Sequence, residues 1–476
     1  MSIVSLADVG RQTSVTELLL RTPPGGVSRI DLAALADSLG VDDPSRIVLQ
    51  QASGEALIRI YPTNPLAQLV PATSEDLVMR GGRIVAGRYY DGAPAHLRLY
   101  DPGTGNAQRI CIFGTTGAGK SRSLQLFLAA CKRNNVVVHL ADLKEGQSVP
   151  EAVGNVATRV TTQRKAILML RGVVAEANDR MRRYGELGRS GFLLGRPDPL
   201  MYAVLDEGNR LLEKGARYRA EATRLIREIG RTGRSVGVGV VLAAQAGHLE
   251  ELGGSDTLRS MLKEGEVILL RWSSGMMQSL VADGLLPSGV RLQPIPKVIG
   301  VVKRIRRYDE APAAGEERPN SQGMAYHLTS ARPDAMMRWS MVGSLEPCEG
   351  HDPAILDLYG PGDAPGDPID LAAFDWRDED EDGGDGTPGG SRSPGGSSPT
   401  GPAMEAAPPV PAAPRRLPDR IVRALEDGGP LDGPALLDAL HADGGRAVRP
   451  GSVRNALSEL RSAGRITSEG GVHSLT

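Results

Sequence analysis

The sequence is poor in aromatic residues, in cysteine, in long apolar runs and in any dominant charge. Phe, Trp and Tyr together make up 4% of the 476 residues, so a buried core must be filled mostly by Leu, Val, Ile and Ala. The three cysteines, Cys111, Cys131 and Cys348, lie far apart without metal-ligand spacing, which fits buried free thiols in a reducing compartment. No apolar run is long enough to cross a bilayer, and Val236 to Ala244 is short and glycine-broken, reading as a buried strand. The N-terminus lacks a basic region followed by an apolar one, so no signal peptide is expected. These absences predict a cytoplasmic chain, or one recruited to a membrane by a partner. With 55 Lys and Arg against 57 Asp and Glu, the net charge of −2 excludes a uniformly basic nucleic-acid binder. An acidic run from Asp378 to Asp382 leaves room in that average for local basic surfaces.

Glycine (59) and proline (34) are plentiful, and their distribution divides the chain. Residues 1–80 read as a small α+β unit: helical spacing at Val15 to Leu20 and Ile30 to Leu39, alternation at Arg46 to Gln51 and Ala56 to Tyr61, and a Ser53-Gly54 turn. Leu32 to Val41 has a weak helix-turn-helix flavour, and a plain scaffold is the favoured reading. Over residues 81–345 β-branched runs recur at Arg109 to Phe113, Val136 to Leu140, Met201 to Leu205, Val236 to Ala243 and Val267 to Leu270. Amphipathic stretches, Thr162 to Tyr184 and Arg217 to Arg231, separate several of them. That alternation predicts an α/β domain with a parallel sheet covered on both faces. Residues 346–414 turn to Gly, Pro, Ser and acids and read as a disordered acidic linker. Residues 415–476 regain periodicity. Ile421 and Leu425, then Leu436, Leu437 and Leu440, then Val453, Leu457 and Leu460 mark three short helices, and a hairpin at Ile466 to Leu475 turns at Gly470-Gly471. Three helices and a β wing outline a winged helix.

The chemistry concentrates in the α/β segment. Gly114-Thr115-Thr116-Gly117-Ala118-Gly119-Lys120-Ser121 fits G-x-x-x-x-G-K-[ST], with a strand running in and a helix running out. Glycines let the backbone wrap closely and aim its amides at phosphates, and the helix N-terminus adds its dipole. Lys120 is expected to bridge the β- and γ-phosphates of ATP, and the Ser121 hydroxyl to bind Mg²⁺. Met201 to Glu207 is a buried strand ending in two acids. Asp206 is expected to hold the Mg²⁺ shell, and Glu207 to orient and deprotonate the attacking water. Gln245 ends the next strand, where it either senses the γ-phosphate or is a plain polar strand end. Arg231 and Arg234, just before that strand, are candidates for a cation lent to a neighbouring subunit; the alternative is a solvated basic helix end.

These segments together resemble the FtsK/SpoIIIE family of DNA translocases. The resemblance runs over about residues 81–310. It starts at Ile112-Phe113 and the phosphate loop, passes Asp142-Leu143-Lys144 (similar to the family's Asp-Pro-Lys) and includes Met169-Leu170 and Met181 to Tyr184. It continues through Gly233-Arg234-Ser235, Val240 to Gln245, and Arg271-Trp272-Ser273-Ser274. Within the family the chain looks closest to the TraB-like plasmid-transfer proteins of actinobacteria. The resemblance implies a RecA-like motor, a homo-hexameric ring threading double-stranded DNA, and ATP with Mg²⁺. It departs at Gln245-Ala246-Gly247-His248, where the family has Gln-Arg-Pro-Ser, and at Leu143. The membrane-spanning segment of full-length members has no counterpart here, which implies a membrane or septal partner protein.

In the last segment the third helix, about Gly451 to Ala463, is the candidate recognition helix. Arg449, Ser452, Arg454, Asn455 and Arg461 are its candidate DNA contacts, with Arg465 and His473 flanking the wing. Acids in the first two helices nearly balance these arginines, so a protein-binding module is the competing reading. The competing functions overall are a type VII-like protein-secretion ATPase and a non-translocating DNA-binding NTPase.

Overall fold

The computed structural model describes residues 2–8, 15–21, 30–52, 54–245, 253–271, 285, 292–300, 320–375 and 417–442, with 453, 456–457, 460–461, 464–469 and 472–475. The chain forms two compact units, Met1–Gly383 and Gly384–Thr476.

The first unit opens with strands β1 (Ser2–Asp8) and β2 (Thr16–Arg21), helix α1 (Leu32–Ser38), and strands β3 (Ile47–Ala52) and β4 (Glu55–Ile60). They make an antiparallel sheet in the order β1-β2-β4-β3. Asp31 caps α1 by accepting from the Ala34 amide at 2.8 Å. The helix expected at Val15 to Leu20 is instead β2. Leu18 and Leu20 are buried with Leu19 half-exposed between them, and Leu18 pairs with Ile58 of β4. A run of three leucines satisfies either period, and sheet pairing decides it.

Next come β5 (Arg83–Tyr89), β6 (Pro94–Arg98), β7 (Tyr100–Asp101), β8 (Asn106–Ala107) and β9 (Arg109–Gly114). Helix α2 (Lys120–Arg133), β10 (Val137–Asp142), β11 (Thr158–Val160), α3 (Gln163–Glu186) and β12 (Met201–Asp206) follow. Then come α4 (Asn209–Leu212), α5 (Arg219–Thr232), β13 (Val238–Ala244), α6 (Asp256–Lys263), β14 (Glu266–Leu270), β15 (Met324–His327) and β16 (Met336–Trp339). One sheet collects ten of these strands in the order β11-β10-β12-β13-β9-β14-β15-β16-β5-β6. It is parallel from β11 to β14 and antiparallel beyond. Every residue of β9, β10, β12, β13 and β14 is buried, as strands covered on both faces require. One strand, β13, separates the phosphate-loop strand β9 from β12, and the strand order is that of a RecA-like α/β fold. β13 starts two residues later than the apolar run implies, because Gly233–Val236 forms a 3₁₀ turn and Gly237 takes a φ of 73° against the Phe192 ring.

The strand registers gather the strand ends at one stepped carboxyl edge. Asp142 lies opposite Asp206, Ala244 opposite Phe113, and Leu270 opposite Gly114. Followed across the sheet, these registers put Asp206 level with Ala243, Ile112 and Ile268, so β13 runs one residue and β9 and β14 two residues beyond it.

The start of the expected linker is part of the motor. Helix α7 (Pro353–Tyr359) and a 3₁₀ turn at Leu371–Phe374 pack onto α2 and α3. Ile355, Leu358 and Tyr359 are buried, and the Tyr359 hydroxyl donates to Gln125 Oε1 at 2.6 Å. Ile369 lies against Gly172 so closely that a Cβ there would sit 2.6 Å from its Cγ2. The average composition of residues 346–414 hid these few apolar side chains. The local signals were nonetheless present: an Asp352 cap, Pro353 in the first turn and Gly360 just past the end. The rest of that segment, from residue 376 to 416, lies outside the described residues. Cys111 and Cys131 are buried, whereas Cys348 is exposed.

In the second unit α8 (Leu417–Gly428), β17 (Leu431–Asp432) and α9 (Gly433–Ala442) precede helical residues at 453, 456, 457, 460 and 461. Strands β18 (Ile466–Glu469) and β19 (Val472–Leu475) close a three-stranded sheet of order β17-β19-β18. Ile421, Leu425, Leu436, Leu440, Val453, Leu457, Leu460 and Ile466 share its core.

Tyr359→Ala, which empties a fully buried aromatic site, is expected to lower the stability of the first unit by about 3 kcal/mol in urea unfolding. An unchanged midpoint would return the stretch to a mere tether.

Candidate nucleotide site

The turn between β9 and α2 wraps around its own amides. Gly117 and Gly119 take φ values of 74° and 106°, a backbone that side chains rarely adopt. Close approach matters as well as angle: a Cβ on Gly119 would sit 3.0 Å from the Gly323 amide nitrogen. That neighbouring segment is tied to the loop, because the Gly323 amide donates to the Ala118 carbonyl at 2.9 Å. Lys120 and Ser121 begin α2, whose unpaired N-terminal amides and dipole favour an anion.

Lys120 reaches across β13 to the end of β12. Its ammonium donates to Glu207 Oε1 at 2.7 Å and to Asp206 Oδ1 at 3.3 Å. Asp206 is fully buried, and its second oxygen, Oδ2, has no hydrogen-bond partner. A buried carboxylate oxygen without a donor is costly unless a cation or water serves it. Glu207 takes a φ of 51°, turning the chain from strand into helix so that its carboxylate faces back to Lys120. Gly208 permits that turn, since a Cβ there would sit 2.2 Å from Leu242 Cδ1.

Thr115, Thr116, Gly117, Gly119, Lys120, Ser121, Glu207 and Gln245 all line one cleft of about 490 Å³. Gln245 is exposed at its rim. The cleft also takes in residues the motif reading passed over: Arg122, Lys144, Asn209, Arg210, Glu213 and Gln322. Lys144 is placed by Asp142, whose buried carboxylate accepts from the amides of Lys144 at 3.2 Å, Ser148 at 3.2 Å and Val149 at 3.3 Å. Position three in Asp-Leu-Lys was the available signal for Lys144. Gln322 had none, being some 200 residues downstream of the loop it packs on.

The fold does not bring Arg231 and Arg234 to this cleft. They line a separate cavity of about 620 Å³ with Arg109, Arg227 and Asp256. Arg109 is the first residue of β9, so that cavity lies at the opposite end of the strand from the phosphate loop, roughly 16 Å away at ~3.3 Å per residue. Arg231 is largely exposed, 3.8 Å from Glu228.

Of the candidate DNA contacts, Arg449, Ser452, Arg454 and Asn455 lie outside the described residues. Arg461 and Arg465 are exposed. His473 is not available as expected: it is 8% exposed, bonded to Ser468 Oγ at 2.6 Å and near Arg461. Burial and the Arg461 charge both lower its pKa, keeping it neutral inside the hairpin.

No family model matches the chain, and no curated protein matches it. Among solved structures it is similar to the pCW3 conjugation coupling protein TcpA, monomer form with ATPgS: TM-score 0.45, 14% identity, over 71% of this chain and 88% of that one. It is also similar to the cytoplasmic domain of the type VII secretion ATPase EccC of Thermomonospora curvata (0.41, 20%, 72% and 36%). A third is EssC, ATPases 2 and 3, from Geobacillus thermodenitrificans (0.41, 14%, 62% and 50%). The chain thus spans half or less of the two secretion ATPases. Likeness at these scores leaves the functional assignment to the chain's own residues. The RecA-like fold is consistent with the FtsK/SpoIIIE resemblance, and nothing in it singles out the TraB-like branch. Among the described residues no helix is long and apolar enough to cross a membrane.

Lys120→Ala is expected to weaken binding of a fluorescent ATP analogue by roughly 10- to 100-fold, as loss of a charge-assisted contact does. Glu207→Gln releases Lys120 from a competing carboxylate and should bind as tightly as wild type or more tightly. Wild-type affinity in Lys120→Ala would separate the cleft from nucleotide binding.

Proposed function

We propose that the chain is an ATP-hydrolysing, double-stranded DNA translocase of FtsK/SpoIIIE type, acting in DNA transfer or segregation as a homo-hexameric ring. The observation that carries the first half is the convergence of Lys120, Asp206 and Glu207 from two non-adjacent strands on one glycine-lined turn. Ser121 and Asp206 fit a magnesium site, since Asp206 Oδ2 is buried without a donor. The ion would supply charge neutralisation on the β- and γ-phosphates.

The residues then divide the work. The phosphate-loop amides and Lys120 hold the triphosphate, and that pull on Lys120 competes with its bond to Glu207. Glu207, once released, is free to orient a water and accept its proton. Gln245 at the rim is suited to report the γ-phosphate. Arg231 and Arg234, on the far edge of the sheet, act only if a neighbouring subunit receives them, which is what a ring provides. Mixing wild type with an excess of Arg234→Ala subunits should therefore lower the ATPase rate more than dilution alone; a strictly proportional fall would rule out a shared site.

DNA as substrate rests on the second unit. Its order of helix, short strand, two helical stretches and hairpin matches a winged helix, with Arg461 and Arg465 exposed near the wing. We read it as the head that selects DNA, and we place the chain with TraB-like plasmid-transfer proteins, docking to a membrane or septal partner.

The deciding measurement is the ATPase rate with and without linear double-stranded DNA, for wild type, Lys120→Ala and a chain ending at residue 416. DNA should raise the wild-type rate several-fold. Lys120→Ala should lose on the order of 10²-fold or more, and the shortened chain should keep the stimulation without sequence preference. A rate indifferent to DNA would transfer the motor to a peptide substrate, as in a type VII-like secretion ATPase. Stimulated hydrolysis without displacement of a DNA triplex would leave a static DNA-binding NTPase.

A further inference from the structure

Arg271 directly follows β14, and no motif assigns it a task. The pairing of Leu270 with Gly114 sets it beside the phosphate loop, on the flank away from β13 and β12. Its φ is 43°, and its amide donates to the Met324 carbonyl at 2.8 Å. A Cβ on Gly117 would lie 3.5 Å from its Nη1, so the guanidinium lies against the turn of the loop. The residue is 8% exposed. Among the described residues its side chain makes no hydrogen bond or ion pair, and its Nε is buried without a partner.

This is an unusual state for a buried cation. A buried charge without compensation is strongly unfavourable, and guanidinium groups in protein interiors are normally paired or saturated with acceptors. The other buried arginines of the motor follow that rule. Arg338, close enough for Arg271 to help push its pKa down to about 10, donates to the carbonyls of Leu66, Ala67, Asn320 and Gln322. Arg180 has Glu176 and two carbonyls, and Arg109 has Glu264. Burial lowers the Arg271 pKa as well, with no carboxylate to offset it. Lys120, by contrast, already faces two carboxylates. Among the buried arginines described, Arg271 is thus the one whose side chain has neither a carboxylate nor a carbonyl partner, and it lies against the loop.

We propose that the Arg271 guanidinium is a second phosphate-binding arm of the nucleotide site, meeting the phosphate chain from the flank opposite Asp206 and Glu207. The planar fork of N–H donors suits phosphate oxygens. The loop amides would hold the same anion within its reach. The contact with Gly117 of the loop is what assigns the arm to the nucleotide. The inference rests on the cleft being an ATP site, and it is independent of what the motor moves.

The test uses the full chain without DNA, measuring affinity for ATP by calorimetry and the melting temperature in the absence of nucleotide. Arg271→Met keeps the aliphatic stem and removes the charge. It should weaken ATP binding by about 10-fold or more, while leaving the nucleotide-free melting temperature unchanged or raised, because an uncompensated buried charge is gone. Arg271→Lys, which restores charge but not the fork, should recover part of the affinity. Wild-type affinity in Arg271→Met, or a lowered nucleotide-free melting temperature or failure to fold, overturns the proposal by making the side chain irrelevant or structural. Lys120→Ala separates the two readings. If it loses ATP and Arg271→Met does not, only the second arm falls; if wild type itself binds no ATP, the nucleotide site falls with it.

Discussion

The register of the parallel strands is the constraint on which the site depends. β10 and β12 end together, β13 runs one residue and β9 and β14 two residues further, so that Asp142, Asp206, Gln245, Gly114 and Arg271 emerge at one stepped carboxyl edge. In a parallel sheet a one-residue slip would turn each of those side chains to the other face. The slip is opposed by burial on both sides, since every residue of these strands packs against a helix layer or a neighbour. A core made mostly of Leu, Val, Ile and Ala suits this task. The β-branched runs fill a flat layer, and the few rings, such as Phe127 edge-on to Tyr202 at 5.2 Å, fill the gaps between helix and sheet.

Charge placement across that edge is asymmetric. The β12 side carries Asp206 and Glu207, both engaged by Lys120. The β14 side carries Arg271, with Arg338 behind it held only by carbonyls. An anion settling on the loop therefore meets a positive flank on one side and a negative flank on the other. Such a field suits the triphosphate proposed for the cleft. The loop glycines, Gly117 and Gly119, cannot be replaced. Both take positive φ, Gly117 lies against the Arg271 guanidinium, and Gly119 has no room for a side chain beside Gly323.

The parts legible in the sequence were those whose signal is local. The phosphate loop, the acidic strand end and the long helices each announce themselves within about twenty residues. Their strands and helices fall within two residues of expectation. What escaped was set by distant chain. Leu18 to Leu20 became a strand because β4 lay ready to pair with it. Gln322 and Gly323 reach the phosphate loop only through the β14–β15 pairing. His473 reads as a polar wing residue, yet the hairpin register with β17 places it inside, opposite Leu431. Arg271 was quoted in a family-like segment without a task, since an arginine at a strand end says nothing of whether it has a partner.

The stretch after residue 345 shows how composition and structure part company. Glycine, proline and acids dominate its average, but folding depends on a few contacts rather than the mean. Arg122, two residues past Lys120, donates to the carbonyls of Val342 and Ser344 and to the Asp352 carboxylate. Asp352 in turn caps α7 and accepts from the Ser344 amide, while Glu151 accepts the Asp352 amide. The strap is thereby stitched to the same helix whose first turn holds the phosphate loop. It continues across α3 to Asp375, whose carboxylate accepts from Arg164. Because Arg122 sits on the helix face next to the loop, any tilt of α2 on filling the cleft must be shared by Val342, Ser344 and Asp352. The described stretch that ends at Asp375 is thus tied to the helix that follows the glycine-rich loop through hydrogen bonds rather than through the sheet.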